Sequence, residues 1–160
     1  MTKVFGMILI LFISIAGRAQ HSEVARKGKP EVVSFCVLMS DSEKYRDKEV
    51  RIKATYRYGF EIAELYCLGC DKTHAWVELD EDYKEHSKSR YVRMIKSNGF
   101  QGRTVNVEVI GTLVSGSGFG HFGRLPFKFV VKSLVKAEII ADTGPEPHAL
   151  SQKERKKLCR

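Results

Sequence analysis

The chain has no Asn-x-Ser/Thr sequon, one tryptophan, four prolines and no internal repeat. A second Cys-x-x-Cys or a His-x-x-x-His is also missing, so the four-ligand pattern of an unambiguous zinc site is not spelled out. No serine stands at a nucleophile elbow. The carboxylates Glu78, Asp80, Glu81 and Asp82 cluster where a helix start would hold them for its dipole, and His86 reads as solvated. These gaps leave no catalytic constellation, and the expectation is a non-enzymatic protein with no cofactor.

No apolar run reaches the ~20 residues that span a bilayer. The longest uncharged one, Val4 to Ile15, is about 12 residues and follows Lys3, the proportions of a signal-peptide core. Gly17 and Ala19 supply small residues at −3 and −1 before Gln20, so residues 1–19 are expected to be cleaved. Export to the periplasm or outside the cell follows, with no transmembrane segment in the mature chain. The formal net charge of +8 falls by two, to +6, once Lys3 and Arg18 leave. Part of that excess lies in the tail, at Lys153, Arg155, Lys156, Lys157 and Arg160. A basic balance fits an anionic polymer or an envelope protein as partner; export disfavours nucleic acid.

All four cysteines, Cys36, Cys67, Cys70 and Cys159, belong to the mature chain. In an oxidising compartment disulfides are the default, and four cysteines permit three full pairings. The simplest reading joins Cys67 to Cys70 across a hairpin turn. The alternative is a zinc site of Cys67, Cys70, His74 and His121. A thioredoxin-like role is disfavoured because a strand, not a helix N-terminus, follows the motif.

Strong periodicity begins at Val50. Val50, Ile52, Ala54, Tyr56, Tyr58 and Phe60 alternate with Arg51, Lys53, Thr55, Arg57 and Gly59, the pattern of a half-buried strand with a basic outer face. Further strands are expected at Glu64–Leu68, His74–Leu79, Thr104–Leu113 and Phe127–Ile140. Val105, Val107 and Val109 should point inward, with Asn106 and Glu108 outward. A helix capped by Asp80 or Asp82 should run to Lys96, with Tyr91, Met94 and Ile95 on one face and Asn98-Gly99 as its stop. A weaker helix is expected from Pro30 over Glu31–Met39, with Val33, Cys36 and Val37 inward. Ser151 and Glu154 have capping-box spacing.

The fold class is therefore mostly β with one or two helices, in the order β-β-β-α-β-β, which suits a five-stranded OB-like barrel. The domains read as signal peptide 1–19, leader and short helix 20–35, OB-like domain 36–141 and flexible basic tail 142–160. The run Ser42-Glu43-Lys44-Tyr45-Arg46-Asp47-Lys48-Glu49-Val50 resembles a Pro-Glu-Lys-Tyr-x-Gly-Lys-x-Val segment of small exported bacterial OB-fold proteins of unassigned function. Ser42 stands where proline is usual and Asp47 where glycine is. The resemblance implies the fold and is silent on activity.

Gly118-Phe119-Gly120-His121-Phe122-Gly123 spells Gly-x-Gly-x-x-Gly, but it joins two strands and so lacks the helix start that dinucleotide binding requires. In OB folds, loops one–two and four–five flank the ligand groove. Arg57, Tyr58, Phe60, Phe119, His121, Phe122 and Arg124 are accordingly the expected ligand-binding residues. Aromatic and basic side chains together suit stacking on a glycan, a protein partner, another envelope component or single-stranded nucleic acid. The reading carried forward is an exported OB-fold binding module; a zinc protein and a structural envelope protein are the alternatives.

Overall fold

The computed structural model describes residues 28–59, 61–67, 70, 73–95 and 103–141. The alternation that begins at Val50 produces β2, Glu49–Gly59, with Val50, Ile52, Ala54 and Tyr56 all buried. Strand β3, Ile62–Tyr66, and β4, His74–Leu79, follow as antiparallel partners. Two long strands complete the sheet, β5 at Arg103–Phe119 and β6 at Leu125–Ala141. β6 lies antiparallel to β5 and parallel to β4, and β5 returns to pair antiparallel with β2 from Tyr58↔Arg103 to Glu49↔Thr112. The hydrogen bonding thus runs in a ring, β2-β3-β4-β6-β5 and back to β2. β1, Glu31–Val32, adds a short parallel sixth strand beside β2.

Inside the ring the two faces of each strand are chemically distinct. Val105, Val107 and Val109 of β5 are buried, as are Phe129 and Val131 of β6, while Phe127 packs partly against the same core. Gly111 is buried in β5 for a steric reason. A Cβ there would collide with the Val130 carbonyl oxygen and lie 2.6 Å from Cε1 of Phe129.

Three local expectations change. The segment after Pro30 does not start a helix: Glu31–Val32 pairs with β2, and the Val33 N–H donates to the Arg51 carbonyl at 3.0 Å. The helix α1 is Phe35–Ser40, capped by Ser34, whose hydroxyl accepts the Val37 N–H at 3.2 Å. Its buried residues are Phe35, Leu38 and Met39, whereas Val37 is exposed. The helix expected from Asp80 is mostly turns. Asp80 accepts the Asp82 N–H with its carboxylate, an alternative that short polar side chains offer the backbone. Only α2, Ser89–Ile95, is helical, with Tyr91, Val92 and Ile95 buried and Met94 partly so. The glycine-rich segment is less of a loop than expected, because Ser115 pairs with Phe127 and Phe119 with Leu125, leaving only a tight turn at the tip. The Asn98-Gly99 stop and the Ser151–Glu154 pair lie outside the described residues, as does the tail.

A short 3-10 helix, Ser42–Tyr45, and a turn lead into β2. Asp47, which stands where the resembling segment carries glycine, has φ 58. That left-handed conformation favours glycine and is tolerated by aspartate. Among the described residues no helix is long and apolar enough to cross a membrane.

Candidate ligand-binding groove

The pairing register assembles the site. Arg57 of β2 faces Glu64 of β3, Glu64 faces Trp76 of β4, and Trp76 faces Lys128 of β6. These four side chains form one row across four strands, on the face opposite the buried Tyr56, Leu65, Ala75 and Val77. The tip of the β5–β6 hairpin adjoins this face. Gly120, at φ 83, lies close enough to Trp76 that an added Cβ would sit 3.0 Å from the indole ring. Glycine is needed there for both the backbone angle and the close approach.

Two hollows result, of about 420 and 520 Å³, and they share Glu61, Trp76, Phe119, Gly120 and His121. The first also takes in Arg57, Glu64, Phe122 and Arg124; the second reaches Glu78. Together they read as one groove with the only tryptophan at its centre.

The groove is rich in charge, and most of it is paired. Arg57 donates from Nε to Glu64 Oε1 at 2.7 Å and from Nη2 to the same oxygen. His74 Nδ1 lies 2.8 Å from Glu64 Oε2, and its ring stacks on Tyr66 at 5.4 Å. His121 Nε2 is 3.3 Å from Glu61, and Lys128 Nζ is 2.9 Å from Glu78 while lying over Phe119. Arg124 covers the Phe122 ring at 5.2 Å, and that ring meets His121 edge-on at 4.6 Å. Phe122 itself is 68% exposed.

Burial alone would raise the carboxyl of Glu64, but the hydrogen bond with His74 and the charge of Arg57 outweigh it and hold the group below its ordinary 4.5. A carboxyl with a lower pKa folded than unfolded stabilises the fold above the unfolded value. That contribution is lost as pH falls through the folded value. Stability should therefore drop on acidification from about 4.3 downward, and Glu64→Gln should flatten the drop. Urea unfolding at successive pH values from 7 to 3 measures it; identical slopes in the two proteins would count against the pairing.

Of the expected binding residues, Arg57, Phe119, His121, Phe122 and Arg124 all line the groove. Tyr58 does not. It shares the inward face of β2 with Tyr56, on whose ring it stacks at 5.8 Å, because a period of two sends alternate residues to opposite faces. Phe60 lies outside the described residues. Trp76, Glu61, Ile62 and Glu64 were missed, although outward alternation with buried Ala75 and Val77 marks Trp76 in the sequence itself.

The cysteine reading is corrected. Cys70 is bonded to Cys36, not to Cys67. Helix α1 brings Cys36 to a Cα separation of 5.3 Å from Cys70, inside the range a disulfide spans. Cys67 instead points into the core, and its carbonyl accepts the Cys70 N–H at 3.1 Å to close the turn; it is not a free thiol either. The alternative zinc set of Cys67, Cys70, His74 and His121 is not assembled, because both histidines turn to carboxylates and the third sulfur beside Cys67 and Cys70, within 4.8 Å, is that of Cys36. Comparison with protein-family models, curated proteins and solved structures finds no match to this chain.

Proposed function

We propose that this chain is an exported, non-enzymatic OB-fold module that binds an oligosaccharide in the groove centred on Trp76. The OB reading is supported by the cyclic strand order, by the parallel contact of β4 with β6 within that ring, and by α2 standing between β4 and β5. Export rests on the apolar run at Val4–Ile15 and the small residues before Gln20, and the Cys36–Cys70 disulfide agrees with it.

The observation that carries the ligand class is the row Arg57–Glu64–Trp76–Lys128. An indole flanked by Phe119 offers apolar faces for the C–H surface of a sugar ring, and the fixed Arg–Glu–His network beside it offers donors and acceptors for hydroxyls. Glu61, Glu64 and Glu78 all border the two hollows. Arg57 and Lys128 are held by Glu64 and Glu78, so the groove offers no open row of cations for a phosphate backbone to follow, which favours a sugar over single-stranded nucleic acid.

The test is a calorimetric screen of wild type, Trp76→Ala and the triple variant Phe119→Ala/Phe122→Ala/Arg124→Ala against neutral and acidic oligosaccharides and oligonucleotides. An oligosaccharide should bind wild type, and each variant should lose about 2 kcal/mol, roughly 30-fold, as expected when a central aromatic anchor is truncated. Unchanged affinity in both variants would move the site elsewhere, and binding of oligonucleotides alone would replace the reading.

A further inference from the structure

One cation of the groove stands apart from the carboxylates. Arg57 is matched by Glu64 and Lys128 by Glu78, and the His121 ring lies 3.3 Å from Glu61. Arg124, which lines the same hollow as Arg57 and Glu64, has no carboxylate within ion-pair distance among the described residues. It is instead laid on the face of Phe122, its guanidinium carbon 5.2 Å from the ring centre. We propose that the oligosaccharide recognised here is acidic, carrying a sugar-ring carboxylate, and that Arg124 is the residue that receives that carboxylate. The inference rests on the oligosaccharide reading above and refines it.

Three features argue for this chemistry. An arginine stacked on an aromatic ring keeps its N–H fork free at the rim of the plane, and that fork matches a carboxylate with two parallel hydrogen bonds. Stacking also holds the side chain in place before the ligand arrives, so less freedom is lost on binding. Phe122 is largely exposed at the hairpin tip even with Arg124 over it and His121 at its edge, so part of the ring remains open to a sugar.

The remaining charges set the limit on the ligand. Arg57 and Lys128 are already held by Glu64 and Glu78, so a chain charged densely along its length would find too few open cations to match it. One carboxylate at the Arg124 end, with neutral or spaced residues beyond it, is what the two hollows accommodate together. A heavily sulfated or phosphorylated polymer is disfavoured by the same argument.

The experiment is isothermal titration of the full chain with a trisaccharide of one terminal galacturonic acid on two neutral hexoses, with the methyl ester of that trisaccharide, and with a sulfated oligosaccharide of equal length. The acid should bind wild type about 10–100-fold more tightly than its ester, the contribution of a charged hydrogen-bonded pair. In Arg124→Gln that ratio should collapse to near one, and Arg124→Lys should give an intermediate ratio because it keeps the charge and loses the fork. Folding of each variant is checked by its urea midpoint. Equal binding of acid and ester by wild type would overturn this inference and leave the oligosaccharide reading standing. A ratio unchanged in Arg124→Gln would assign the carboxylate to another residue and overturn it as well. Preference for the sulfated chain would replace the carboxylate by a denser anion. Binding of none of the three would remove the oligosaccharide reading and this inference together.

Discussion

Phe129→Ala should cost about 3–5 kcal/mol of folding stability, the range for a fully enclosed aromatic side chain. Phe129 has no exposed surface, and it stands where three strands lie side by side: it faces Val77 in β4 and Leu113 in β5. Gly111 approaches its ring so closely that no larger residue would fit. The walls around it are paired backbone on both sides, so they cannot collapse into the space the ring leaves, and most of the cavity would persist. Urea unfolding at neutral pH measures the effect. A variant within about 1 kcal/mol of wild type would place Phe129 at the margin of the core. Ile52→Ala, on the facing strand β2, should cost about 2–5 kcal/mol by the same mechanism.

Removing the Cys36–Cys70 crosslink should be of similar size. The two cysteines are separated by 34 positions, and a loop of that length restricts the unfolded chain by about 4 kcal/mol in the chain-entropy treatment. The bond ties α1, which contributes Phe35 and Leu38 to the core, to the turn between β3 and β4. The double variant Cys36→Ser/Cys70→Ser is the proper measure, since a single change would leave a thiol beside the Cys67 sulfur and invite exchange. Its urea midpoint should fall accordingly. Peptide mapping without reductant should recover Cys36 joined to Cys70, and a Cys67–Cys70 peptide would reverse the assignment.

What could be read in advance, and what could not, divides along local against distant interactions. Alternation is a local signal, so the inward faces of β2 and β5 follow from Val50, Ile52, Val105, Val107 and Val109 directly. The strand His74–Leu79 likewise has the limits its residues suggest. Glu31–Val32 extends rather than coils because β2 lies beside it, a partner the segment does not announce. Cys36 is far from Cys70 in the chain, so their pairing depends on where α1 packs. Among the groove residues, Arg57 and the hairpin tip were accessible from their chemistry. Tyr58 has the chemistry of a binding residue but the parity of Tyr56, which turns it toward the core, and the row that Trp76 joins exists only once four strands are in register.

Closure of the ring bears on when this chain can fold. β2 is sealed against β5 by pairs as remote as Glu49 with Thr112, and β4 finds its second neighbour only in β6, the last strand described. Distant pairing of this kind slows folding, because much chain must be ordered before the contacts that reward it form. An N-terminal fragment ending before Leu125 would leave β4 and β5 each with an open edge. A chain that has not yet reached Leu125–Ala141 therefore stays open and threadable, which suits the export proposed above.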